Sequence, residues 1–137
     1  RPCRVRGDKD LLGSSIENVI RNAVRHAPKS STISVTLSTA EIPGYCSLTV
    51  EDRVSGRFGA AHARWHLHPA AAVRETGPGA YEISVGDVRV DVRLDDCAVT
   101  IGAATWSPEF GKTVENTVID ARFNGSTCRA TWRWRRG

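Results

Sequence analysis

Asn18 and Asn22 stand four residues apart in ENVIRNAVRHAP. Side chains at i and i+4 are neighbours on a helix surface, so both amides would point the same way from one helix. That pair is the best chemical signature in the chain, set against the simpler reading of two polar residues on the outer face of a packed helix. A second pair, His66 and His68, flanks Leu67 in RWHLHP. On an extended segment alternate residues share a face, so the two imidazoles could hold a transition metal if a third ligand folded in. No spacing fixes that third ligand, and hydrogen-bonded histidines at a strand edge are the preferred reading. Asp95-Asp96 reads as a solvated turn, and Asp8 and Asp10 as helix caps. No G-x-S-x-G elbow, Walker loop or C-x-x-C occurs, so the usual serine-nucleophile, P-loop and zinc or thioredoxin-like signals are absent.

The elements that must position these residues are legible as hydrophobic periods. Over 10–28, Leu12, Ile16, Val19, Ile20, Ala23 and Val24 recur at three- and four-residue spacing and predict one amphipathic helix, stopped by Pro28. Residues 32–38 and 46–51 alternate apolar and polar, with Pro43-Gly44 between them, and predict a hairpin whose apolar face receives the helix. After residue 57 the chain reads as short strands. Val88, Val90, Val92 and Leu94 are expected inward, with Arg89, Asp91 and Arg93 outward. Asn124-Gly125 is the strongest hairpin signal and predicts that the last two strands pair with each other. The expected fold class is α+β: an amphipathic helix packed on a short hairpin, then an antiparallel β-sandwich-like region. Residues 1–56 and 57–137 form the expected two parts, and Trp65, Trp106, Trp132 and Trp134 are expected mostly in the core.

At 137 residues, 40% hydrophobic and 25% charged, the composition is that of an ordinary globular protein. No apolar run approaches a membrane span. The net charge is +4, yet the basic residues are dispersed. TWRWRRG is better explained by strand alternation than by base stacking, so a nucleic-acid partner is disfavoured. Cys3, Cys46, Cys97 and Cys128 are widely spaced, and buried thiols are expected over disulfides. The chain opens on Arg1 without any Met and is expected to be a piece of a longer reading frame. Unpaired sheet edges would favour self-association.

Residues 1–56 resemble the N-box part of a sensor histidine kinase ATP-binding domain. The carriers are GDKDLL at 7–12, ENVIRNAVRHAP at 17–28 and VEDRVSG at 50–56. The resemblance implies that Asn22 ligates magnesium only together with nucleotide, that Asn18 shares its face, and that Arg25 and His26 approach the phosphates and ribose. An amide oxygen suits that hard cation. It also implies that Asp52 accepts the adenine amino group and that Gly56 is the second glycine of a D-x-G-x-G box. Val54 replaces the first, and no glycine-rich lid or second glycine box follows. Mg-ATP is the cofactor if this part is functional, and none is otherwise expected.

Residues 62–137 resemble the C-terminal β-rich region of heparinase II/III family polysaccharide lyases, carried by RWHLHP, YEISVGDVRVDVRL and TWSPEFGKTVENTV. That implies an acidic polysaccharide partner, but none of the family's catalytic residues can be placed here. The kinase-like part implies the cytoplasm and the lyase-like part the periplasm or exterior. The expectation is a fused or recombined product: a non-catalytic accessory fragment of the lyase type, with a degenerate ATP/Mg-binding module as the alternative.

Overall fold

The computed structural model describes residues 17, 36–39, 44–107 and 109–135. Nine strands run through them: β1 (Thr36–Thr39), β2 (Tyr45–Arg53), β3 (His62–His66), β4 (Ala72–Gly77), β5 (Ala80–Val85), β6 (Val88–Asp95), β7 (Cys97–Trp106), β8 (Val114–Phe123) and β9 (Thr127–Arg135). They form a six-stranded sheet in the order β1-β2-β9-β6-β5-β4 and a three-stranded sheet in the order β3-β8-β7. Every pairing is antiparallel.

The expected α+β class is therefore corrected to β. Among the described residues no helical element is assembled, and both layers are sheets. The stretch expected to form the amphipathic helix lies outside the described residues except for Glu17, which is exposed and has helical backbone. The hairpin of β1 and β2 does form, but it is not a free-standing platform. β2 pairs along its whole length with β9, from Tyr45 opposite Arg135 to Arg53 opposite Thr127. A strand between two neighbours satisfies its backbone groups on both sides, so β2 is an interior strand of the large sheet.

The core lies between the layers. Tyr81 and Ile83 of β5, Val92 and Leu94 of β6, Ala130 of β9 and Ile119 of β8 form its buried cluster, with Trp65, Val99 and Trp132 packed against it. Their alternation along each strand is what turns one side inward. Trp65 and Trp132 meet edge to face at 6.0 Å between ring centroids, a favoured aromatic geometry. Trp106 departs from the expected burial and is 43% exposed. Val88, expected inward, is also exposed, at the end of β6 where it pairs with Val85.

A further difference concerns Asn124-Gly125. β8 pairs only with β3 and β7, while β9 pairs with β2 and β6. The dipeptide carries the chain from one sheet to the other instead of closing a hairpin. Asp96 makes the opposite crossing from β6 to β7 at a φ of 63°, a left-handed conformation that Asp tolerates better than most residues.

Candidate functional site

β2 alternates Cys46, Leu48, Val50 and Asp52 on one face, which puts a carboxylate in line with apolar positions. Asp52 stands opposite Cys128 of β9, a side chain only 1% exposed. Burial pushes the Asp52 carboxyl up from its ordinary value, since a charge gains less solvation there. No hydrogen bond or ion pair joins it to another described side chain. On the opposite face the neighbouring Glu51 is held by Arg53 and Arg129, with Arg129 Nε donating at 3.0 Å, and those guanidinium groups keep its carboxyl low.

Just beyond β2 the Val54 amide donates to the Ser126 carbonyl at 2.8 Å. Gly56 follows at a φ of 92°, a left-handed backbone that glycine adopts without steric cost. Val54 does not adopt a positive φ. The end of β2 therefore offers the expected carboxylate and second glycine, but not the conformational freedom of a first glycine. Asn18, Asn22, Arg25 and His26 lie outside the described residues.

The second polar grouping is on the outer face of the three-stranded sheet. Arg64 and Asp120 are paired across β3 and β8, next to the His62–Arg122 pair. His62 Nδ1 lies 2.6 Å from Asp120 Oδ1, and Arg64 Nε donates to Asp120 Oδ2 at 2.6 Å. A carboxylate accepts only, so the Nδ1 position carries the hydrogen. These contacts hold the Asp120 carboxyl below its usual range, the His62 hydrogen bond contributing most. Ala98, Thr100, Gly102, Val118 and Arg122 line an open groove beside this cluster.

His66 and His68 are not gathered with a third ligand. Among the described residues no three His, Cys, Asp or Glu side chains are grouped to hold a metal. His68 Nδ1 instead accepts the Ala70 amide at 3.1 Å, and its ring lies 6.3 Å from that of Trp106. Next along β8, buried Asn116 donates through Nδ2 to the Leu67 carbonyl at 2.9 Å, leaving its Oδ1 without a partner. The His62–Asp120–Arg64 cluster escaped the sequence reading. Strand alternation puts His62 and Arg64 on one face, but their shared acceptor is more than fifty positions away and needs the β3–β8 register.

The chain is similar to a sensor protein. It is 30% identical over 97 residues to Sensor protein PfeS of Pseudomonas aeruginosa, a match covering 70% of this chain and 16% of that protein. The chain thus spans about a sixth of that relative's length. A match of 97 residues runs past residue 56 wherever it begins, so it is not confined to the N-box-like segment. No family model matches the chain, and no solved structure matches it. The comparisons support the sensor-kinase resemblance in this coarse form and lend nothing to the polysaccharide-lyase resemblance.

Proposed function

We propose that the chain is a non-catalytic, nucleotide-binding segment of sensor histidine kinase type. The observation that carries this reading is Asp52, a half-buried carboxylate near the end of β2 with no hydrogen-bond or ion-pair partner among the described residues, four residues before the left-handed Gly56. Partial burial weakens the solvation of this carboxylate, and a ligand amino group that donates to it would offset part of that loss. An adenine exocyclic amine is such a donor, and the glycine lets a ligand approach the backbone closely. The similarity to a sensor protein supports the same assignment. In this reading Asn22 contributes an amide oxygen to magnesium, Asn18 stands beside it, and Arg25 and His26 meet the phosphates and ribose. The residues named in this reading are binding groups, so nucleotide binding is what it predicts.

Titration of the purified chain with a fluorescent ATP analogue, with and without magnesium, tests this. Magnesium-dependent binding that is lost in both Asn22→Ala and Asp52→Ala supports the reading. Absence of binding at millimolar nucleotide overturns it.

A second reading rests on the outer face of the three-stranded sheet, where His62, Arg64 and Arg122 outnumber Asp120 beside an open groove. There we propose an acidic polysaccharide as partner, attracted chiefly by charge and so sensitive to salt. Retention on an acidic polysaccharide gel at low salt, weakened by Arg122→Ala, would favour it. Passage of the native chain through that gel would remove it.

A further inference from the structure

We propose that Cys97 and Cys128 form a disulfide-forming dithiol that can join the two sheets. The argument begins with register. Cys128 lies in β9 next to Arg129, which stands opposite Asp95 at the end of β6. Cys97 follows two residues later, as the first residue of β7, paired with Phe123. The intervening Asp96 turns the chain with its positive φ, and its carbonyl accepts the Asn124 amide at 3.0 Å. That hydrogen bond ties the β6–β7 crossing to the β8–β9 crossing. The two cysteines thereby lie where the chain passes twice between sheets, near enough for each thiol to affect the other's titration. Both are unbridged in this structure. Closing the bond requires the sulfurs to approach to about 2.05 Å.

The two thiols differ in access. Cys97 is partly exposed and Cys128 is buried. A small-molecule disulfide is the oxidant that this arrangement admits. The Cys97 thiolate attacks one of its sulfurs, the reagent's S–S bond breaks, and the first reagent thiolate leaves and takes up a proton. Cys128 then gives up its proton to solvent and attacks the Cys97 sulfur, releasing the second reagent thiol. Two protein thiols are oxidised and one reagent disulfide is reduced to two thiols.

The second step is the slow one. Burial, the Cys97 thiol beside it and the nearby carboxylates of Asp52 and Asp96 push the Cys128 thiol up to about 12. Asp95 and Asp96 act in the same direction on Cys97. Few Cys128 thiols are ionised at neutral pH, so ring closure should accelerate as pH rises. This inference is independent of the nucleotide reading, since it concerns only thiol chemistry.

The full chain carrying Cys3→Ser and Cys46→Ser, reduced and then treated with oxidised glutathione between pH 7 and pH 9, provides the test. The expected product has lost two hydrogen masses, carries no glutathione and yields a 97–128 cross-linked peptide. Its thermal midpoint should rise by roughly 10 °C over the reduced chain. Cys128→Ser should instead stop at a single glutathione adduct on Cys97. If that double variant does not fold, the same cross-linked peptide is sought in the native chain. Persistent free thiols at pH 9, or one glutathione on each cysteine, would overturn the proposal.

Discussion

His62 and Asp120 meet with Nδ1 2.6 Å from Oδ1, and Arg64 holds the other oxygen of the same carboxylate. The contact joins β3 to β8 on the outer face of the small sheet. The Asp120 carboxyl is lowered in the folded state from an ordinary value of 3.8. A lowered carboxyl stabilises the fold fully above that ordinary value, and the contribution is lost as pH falls through the folded value. The side chains are partly solvated, which limits the effect. Asp120→Asn should therefore cost on the order of 1 kcal/mol at pH 7 and almost nothing near pH 2. Urea midpoints at the two pH values check this, and an equal deficit at both would mean that the charge is not what matters.

Ile119 is the buried cluster's contribution from the small sheet, with no exposure, and it faces side chains of β5, β6 and β9. Truncation to Ala removes three carbons from a site walled by both sheets. Ile119→Ala should cost about 2–4 kcal/mol. Val88, 60% exposed at the start of β6, provides the contrast. Val88→Ala should change stability by less than about 0.5 kcal/mol. Denaturant unfolding of both variants measures the difference, and similar costs would show that the two sheets do not pack through Ile119.

The strands themselves were legible because a half-buried strand imposes a period of two. Val92 and Leu94 point inward as their alternation requires, and Trp132 and Trp134 share one face of β9 while Arg133 and Arg135 share the other. Which strand sits beside which was not legible. Asn124-Gly125 favours a tight reversal, but that local preference is the same whether the next strand turns back on β8 or crosses to another sheet. The outcome depends on β2 and β6 offering unpaired backbone edges to the two sides of β9, a long-range condition. The same limit hid the clusters. Asp52 was legible as a candidate through VEDRVSG, yet its burial against Cys128 exists only because β2 and β9 pair. Asn18 and Asn22 fall outside the described residues, and the expected two-stranded hairpin is instead part of a six-stranded sheet because β9 pairs with the second edge of β2.

Gly79 closes the turn between β4 and β5 at a φ of 67°, and its carbonyl accepts the Leu94 amide at 2.8 Å. A Cβ added there would lie 2.7 Å from the Leu94 carbonyl oxygen. Backbone stands against backbone, so no side-chain rotation relieves the contact. Gly79→Ala combines left-handed strain with that clash and should cost about 2–3 kcal/mol. Gly86→Ala, also at positive φ but with open space around it, should cost only about 1 kcal/mol. Thermal melts of both variants separate the two terms, and equal losses would mean that the Leu94 carbonyl moves freely.

Asp52 should behave in the opposite sense to Asp120. Its carboxyl is raised from an ordinary value of 3.8 by burial, with no opposing charge among the causes. A carboxyl raised on folding makes the fold most stable while it is protonated, and that advantage is lost as pH rises from the ordinary value through the folded one. At neutral pH the ionised group opposes folding. Asp52→Asn should therefore raise stability at pH 7 by an amount on the order of 1 kcal/mol, and the gain should vanish below about pH 3. Urea midpoints across that range test the sign. A structural carboxylate would give a loss at pH 7, as expected for Asp120. A gain would mark Asp52 as a group kept at the expense of the fold, which is what an acceptor reserved for a ligand's amino group requires.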